Sequence, residues 1–367
     1  MTKLARFRRW AKRIALTLLA LLILLLITGT IYEALGRRNA AANYPPRGQM
    51  VDIGGRSIHL DCRGTGSPTV ILEAGLGTGG TIDWKLVHDQ LASFTRTCAY
   101  DRAGIMWSDP KPTPQHAATV AEDLHATLKA AGITGPLVLV GHSVAGPYVR
   151  TYTGRYPDQV AGLVMVDPST PDQVARLGKA TGIDVHPNRA STLFHALAAL
   201  SWTGVPRFMA AGTGNRRLPP HAAAAMAAYA STSIRGATAE LDGFDQSMAD
   251  ARAVTSFGNR PLIVLTAMAP FTAEQLKGLG MTAAAGARFK AEWQRLHAEQ
   301  ARFSTRGRQQ IVPDATHYIQ FDRPDMVIAA VREVVATVRA DFPTRHPELV
   351  SGSMRGQLPP ERRSWVR

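Results

Sequence analysis

The chain has 367 residues, 45% of them hydrophobic and 19% charged, with a formal net charge of +14 and two cysteines. A chain of this length buries a sizeable core, so disorder is expected only at its ends. The charge is unevenly placed: the first 38 residues hold eight Lys/Arg against Glu33 and the residues from Pro343 hold five Arg against two Glu, leaving about +4 for the middle and no basic stripe interleaved with aromatics, so a nucleic-acid partner is not expected.

Lys3, Arg6, Arg8, Arg9, Lys12 and Arg13 precede an uncharged, mainly apolar run of 19 residues from Ile14 to Tyr32. As a helix this run is roughly 28 Å long, enough to cross a hydrocarbon core. The six positive charges before it outweigh Arg37 and Arg38 after it, which predicts a cytoplasmic N-terminus and a domain on the other side of the membrane. A cleaved signal peptide is the alternative, since Asn39-Ala40-Ala41-Ala42 offers small residues for processing. In both readings the domain leaves the cytoplasm. Residues 39–49, with Pro45 and Pro46, read as a linker.

Strand and helix patterns then alternate. Met50 to Ile53 and Ser57 to Arg63 form a predicted hairpin about Gly54-Gly55, and Thr69 to Leu72 is a third strand. Trp84 to Phe94 has helical spacing, Thr97 to Tyr100 is a strand, and Ala117 to Ala131 is a helix closed by Gly132. A strand at Leu137 to Val140, a helix through Val149 and Tyr152 and a strand at Leu163 to Val166 follow. This alternation predicts a mainly parallel sheet covered by helices on both faces. From Pro168 to Gly258 the strand pattern stops, and alanine-rich helical stretches such as Pro220 to Ala230 and Thr238 to Ala253 replace it. Strands return at Leu262 to Thr266 and Gln309 to Val312, and a helix runs from Asp325 to about Phe342. Residues 343–367, rich in Pro and Gly, have no periodic apolar face and read as a disordered basic tail. The run Gly75-x-Gly77-x-Gly79-Gly80 is too loose for a dinucleotide fingerprint.

Gly141-His142-Ser143-Val144-Ala145-Gly146 follows directly on the apolar strand Leu137-Val138-Leu139-Val140. A serine among small residues at such a junction marks a sharp strand-to-helix turn that lifts its hydroxyl above the sheet edge. A hydroxyl is a weak nucleophile and needs a base, with a third group to orient the base. His317 is the candidate base, because it lies five residues past the strand ending at Val312 and so reaches the same sheet edge. Asp167 ends the strand Leu163 to Val166, and the order Ser143, Asp167, His317 is that expected for a turn of this kind. The more usual acid position, after the next strand, reads Ala267-Met268-Ala269-Pro270-Phe271 and holds no carboxylate; Glu274 is the nearest acid and the second candidate. Backbone donors for a developing oxyanion would be Val144, after the nucleophile, and Leu76 in Glu73-Ala74-Gly75-Leu76-Gly77. No clustered His/Cys/Asp spacing suggests a metal site, and no cofactor is implied.

Ala74-Gly75-Leu76-Gly77, Tyr100-Asp101-Arg102-Ala103-Gly104 with Trp107-Ser108, the turn at Ser143, Arg155-Tyr156-Pro157 and Ala315 before His317 occur in a fixed order. As a set they resemble the α/β-hydrolase family, in its lid-bearing esterase, aminopeptidase and haloperoxidase-like branch, over residues 50–342. The resemblance implies an α/β-hydrolase fold: a mostly parallel eight-stranded sheet flanked by helices, with a helical lid insertion, here preceded by one N-terminal transmembrane helix. The expected organisation is a basic stub and transmembrane helix at 1–38, a linker at 39–49, the core at 50–167 and 259–342, the lid at 168–258 and the tail at 343–367. Three positions depart from the family pattern: Ala74 where histidine is common, Ala145 where the motif has glycine, and the empty acid position after the next strand. The family's strand order makes Cys62 and Cys98 neighbours, and export then allows a disulfide between them.

The resemblance implies a serine hydrolase and the N-terminal run an anchor, so the expected function is a membrane-anchored serine hydrolase acting outside the cytoplasm on a small or medium hydrophobic ester, its partner being a small-molecule ester or amide substrate. An aminopeptidase of the same fold would need an acid in the lid to hold a free amine, for which Glu240, Asp242 and Asp245 are available. A non-catalytic hydrolase-fold binding protein of the cell envelope is the reading from a different class.

Overall fold

The computed structural model describes residues 3–112, 114–211 and 217–341. The predicted tail lies outside the described residues. The apolar run lies within one helix, α1 (Lys3–Asn43), which is long and apolar enough to cross a membrane. Residues 39–43, expected as linker, are instead its last turn. Tertiary contact extends the helix: Glu33 and Ala40 are buried against the following domain, and alanine favours the helical state.

Eight strands form one sheet in the order β1 (Gln49–Asp52), β2 (Ser57–Arg63), β4 (Thr97–Tyr100), β3 (Thr69–Glu73), β5 (Leu137–His142), β6 (Val160–Val166), β7 (Leu262–Ala267), β8 (Gly307–Val312). The pairs β1/β2 and β2/β4 are antiparallel and all the others parallel. The inner strands read as continuous apolar runs because both of their faces are covered. Val70, Leu72, Val138, Val140, Val164 and Val166 point to one side, where Leu91 of α2 (His88–Ala92) and Val331 and Val334 of the C-terminal helix pack. Ile71, Leu139, Leu163 and Met165 point to the other, against Leu124 and Leu128 of α3 (Ala117–Ala130) and Val149 and Tyr152 of α4 (Ala145–Arg155). Cys62 and Cys98 are register partners between β2 and β4 and form a disulfide.

Between β6 and β7 the described residues hold helices and no strand: α5 (Gln173–Thr181), α6 (Ser191–Ala199), α7 (Val205–Ala210), α8 (Pro220–Ala228), α9 (Ala230–Asp242) and α10 (Phe244–Arg252). The single helix expected over Thr238 to Ala253 is broken at Gly243, where a Cβ would stand 2.0 Å from the Gln115 carbonyl oxygen. Another expected helix, Trp84 to Phe94, is a 3-10 turn at Gly80–Trp84 followed by the short α2. The turn is tightened by the Thr81 amide, which donates to Asp101 Oδ1 at 2.6 Å. After β7 come α11 (Ala273–Leu279) and α12 (Ala283–Ala301), and after β8 come α13 (Ile319–Asp322) and α14 (Pro324–Asp341). Helix α12 was not anticipated from the sequence, and it carries side chains that reach the site.

Candidate active site

β5, β6 and β8 are parallel, so their carboxyl ends share one edge of the sheet. Ser143 follows the end of β5, Asp167 follows the end of β6, and His317 lies in the loop after β8. The structure brings these three together. His317 Nε2 is 2.8 Å from Ser143 Oγ, and His317 Nδ1 is 2.7 Å from Asp167 Oδ2. A proton on Nδ1, donated to the carboxylate, leaves the Nε2 lone pair facing the hydroxyl.

Ser143 has φ of 56°, a left-handed conformation that costs a non-glycine residue about 1–2 kcal/mol. Its surroundings hold it there. The Ser143 amide donates to Val166 O at 3.2 Å, and its carbonyl accepts from Ser169 N at 2.7 Å and Gly146 N at 2.8 Å. Ala145 is tolerated in place of the motif's glycine because the tight approach falls one residue later: a Cβ on Gly146 would sit 2.5 Å from Ser169 O. At Gly75 a Cβ would lie 2.7 Å from His142 Nδ1, so the loop after β3 passes directly against the turn.

Asp167 is buried and doubly anchored. Oδ1 accepts from the Ala267 amide at 2.8 Å and from Trp293 Nε1 at 2.9 Å, which leaves Oδ2 for His317. Burial by itself would raise this carboxyl, but the hydrogen bond and charge of His317 and the Ala267 amide outweigh it and hold Asp167 below the ordinary carboxylate range. Glu274 lies on the exposed first turn of α11, away from the group formed by Ser143 and His317. The displaced acid thus occupies the site, and the usual position contributes only a backbone amide.

The layer behind the acid comes from α12. Trp293 and His297, one turn apart, have ring centroids 4.6 Å apart with the planes tilted by 55°. His297 Nε2 donates to Pro168 O at 2.9 Å, and Nδ1 accepts from the Thr266 hydroxyl at 2.9 Å. Complete burial lowers the His297 pKa to about 4 and that of His142 to about 3, so both rings are neutral near pH 7. His142 Nε2 donates to the backbone oxygen of His317 at 2.9 Å and fixes that loop from below. Lys290, also on α12, donates to Ala267 O at 3.0 Å and lies over the Phe271 ring. Helical spacing of Phe289, Trp293 and Leu296 after Thr282 was the sequence signal for this element.

Leu76 and Val144 both border the cavity beside Ser143. Val144 directly precedes α4, where the helix dipole favours negative charge. Leu76 is aimed by Arg102. The guanidinium donates to Ala74 O at 2.7 Å, to Gly75 O at 2.8 Å, to Glu73 at 2.7 Å, and through two nitrogens to Glu240 of α9 at 2.6 and 2.7 Å. Because a trans peptide is planar, fixing the Gly75 carbonyl turns the Leu76 N–H the opposite way. Burial pushes the Glu73 and Glu240 carboxyls up, and the shared guanidinium opposes that shift. Glu240 is therefore committed to Arg102 rather than held out toward an amine. Asp242 and Asp245 are partly or largely exposed and face His195 and His186.

The cavity above Ser143 and His317 has a volume of about 780 Å³, within the range of small-molecule sites. Leu177, Phe244, Phe271, Phe289 and Trp293 give it apolar walls, and Arg189, Arg217 and Lys290 add cationic groups.

A sheet of this order, with a serine on a strained strand-to-helix turn and a histidine and an aspartate at the same edge, is the α/β-hydrolase fold. Residues 68–192 match the sequence model of the family described as alpha/beta hydrolase fold. It is 24% identical over 205 residues to the uncharacterized protein YbdG of Bacillus subtilis (strain 168), covering 56% of this chain and 61% of that one. It is 34% identical over 131 residues to the probable transporter efuK of Hormonema carpetanum, of which it spans only 18%. Among solved structures, a thermophilic esterase from Thermogutta terrifontis superposes with a TM-score of 0.55 at 21% identity, over 80% of this chain and 98% of that one.

Proposed function

We propose that the protein is a membrane-anchored serine hydrolase that cleaves a small or medium hydrophobic ester outside the cytoplasm. The observation that carries this reading is the continuous hydrogen-bonded line from Ser143 Oγ through His317 to Asp167. Ser143 Oγ attacks the ester carbonyl carbon as its proton passes to His317 Nε2. The carbonyl oxygen takes the negative charge and accepts from the Leu76 and Val144 amides, each worth roughly 3–4 kcal/mol in a site of this kind. The imidazolium, stabilised by ionised Asp167, then protonates the departing alkoxide. Water repeats the cycle on the acyl-enzyme and releases the acid.

The apolar walls of the cavity favour a hydrophobic acyl or alcohol group, and the helices at 168–258 form the lid over it. Retention of α1 as an anchor is supported by the buried ion pair between Glu33 and Arg207, 2.9 Å long. Cleavage after Ala42 would leave Arg207 buried without that carboxylate, which is costly. The likeness to the Thermogutta terrifontis esterase agrees with ester chemistry.

A fluorophosphonate probe tests the reading. Wild type should label and Ser143→Ala should not, with p-nitrophenyl esters of graded chain length then ranking the acyl preference. A folded wild type that never labels would make the chain a non-catalytic binding protein.

A further inference from the structure

Six large apolar side chains, Leu193, Leu200, Trp202, Val205, Phe208 and Met209, stand exposed within one short stretch of the insertion, with Phe208 at 73% and Trp202 at 50%. Single exposed apolar residues need no explanation, but a concentration of this density in one stretch does. The stretch comprises α6, a 3-10 turn at Ser201–Thr203, and α7, and no residue of α6 is buried.

Its position relative to α1 gives the explanation. A Cβ on Gly29 would lie 2.6 Å from Thr203 O, so helix and turn meet backbone to backbone there, and a Cβ on Gly204 would lie 2.6 Å from the Tyr32 ring, which packs on the same turn. One turn further along α1, Glu33 pairs with Arg207 in a buried joint. These contacts straddle the end of the apolar run at Tyr32, the point where a spanning helix leaves the hydrocarbon. Gly29 lies roughly 4.5 Å below Tyr32 along the helix axis. Thr203 is therefore held at the depth of the headgroup and acyl boundary, where exposed tryptophan and aliphatic groups are favoured.

We propose that the α6–α7 face is seated in the outer leaflet of the bilayer that α1 spans. The seat adjoins the site: the cavity-lining residues Asp184, Val185, His186, Pro187 and Arg189 lie in the segment that leads into α6. The proposal rests on the reading of α1 as an anchor.

The test uses the full chain in vesicles of phosphatidylcholine and phosphatidylglycerol. With Cys62 and Cys98 bonded to each other, each introduced cysteine is a unique free thiol. Nitroxide labels are placed in Phe208→Cys, Met209→Cys and, as the aqueous reference on α14, Ala329→Cys. The labels at 208 and 209 should be reached by oxygen and shielded several-fold from a water-soluble nickel chelate compared with the label at 329. In a Trp202→Asp variant that keeps its circular dichroism, the shielding at 209 should fall toward the reference. Nickel access at 208 and 209 equal to that at 329, in protein that still floats with the vesicles, overturns the seat and leaves the anchor intact. Protein that neither floats nor resists alkaline carbonate extraction overturns the anchor and the seat with it.

Discussion

The amide of Ala267 donates to Oδ1 of Asp167 at 2.8 Å, so the strand end that supplies the acid in related patterns here supplies a hydrogen bond to the acid of its neighbour. The carboxylate has moved one strand along the sheet edge without leaving reach of His317. Both oxygens are committed: Trp293 and Ala267 hold one, and His317 takes the other.

From this follows the effect of neutralising the acid. Asp167→Asn presents an amide to His317 Nδ1 and favours the wrong imidazole tautomer, so kcat for an ester substrate should fall by roughly 10³- to 10⁴-fold. Glu274→Gln, on the exposed turn of α11, should change kcat less than about twofold. Steady-state kinetics on both variants decide the assignment, and the reverse ranking would transfer the acid role to Glu274.

Arg102 governs the loop that carries the Leu76 amide. Arg102→Lys keeps the charge but cannot hold Ala74 O, Gly75 O and Glu240 together. Turnover should drop by roughly 10- to 100-fold with KM little changed, because a misplaced oxyanion donor acts on the transition state. Thermal unfolding should show a loss of about 2–4 kcal/mol from the disturbed buried charges. Unchanged kcat in the folded variant would remove Arg102 from any positioning role.

The buried histidines make stability depend on pH. His297 and His142 have pKa values near 4 and 3 when folded, against an ordinary value near 6.5. The unfolded chain therefore binds more protons below pH 6.5, and stability rises with pH through that window. The contribution is complete above pH 6.5 and is lost as pH falls toward 4. At pH 5 the loss should be of order 2 kcal/mol per histidine. Urea melts at pH 7 and pH 5 measure it, and His297→Gln should flatten the slope by close to one proton. An unaltered slope in that variant would mean that His297 does not titrate in this way.

Much of the site was legible locally. The apolar strand running into Gly141-His142-Ser143 announced the nucleophile turn, and the position of His317 past a late strand placed it at the same edge. Asp167 ranked ahead of Glu274 because it directly ends a strand at the edge shared with Ser143, whereas the anchoring of its carboxylate by Ala267 and Trp293 was not legible, since those partners lie 100 or more residues away in the chain. Trp293, His297 and Lys290 were missed together, since they sit on one helix whose role depends on which strand ends it covers. The break at Gly243 was hidden for a similar reason: both sides have helical periodicity, and only the Gln115 carbonyl forbids a continuous side-chain surface there.

The sequence by itself determined the order of strands and helices, the turn that exposes Ser143, the serine, acid and histidine order, and an apolar segment long enough to span a bilayer. These are local properties, written in periodicities of two and 3.6 residues and in the steric demands of one turn. Tertiary structure alone decided how the Asp167 carboxylate is anchored, how Arg102 ties the loop after β3 to α9, and how the end of α1 locks onto Arg207. Those contacts join residues far apart in the chain, and burial fixes their geometry by making an unpaired charge or donor costly wherever water is excluded.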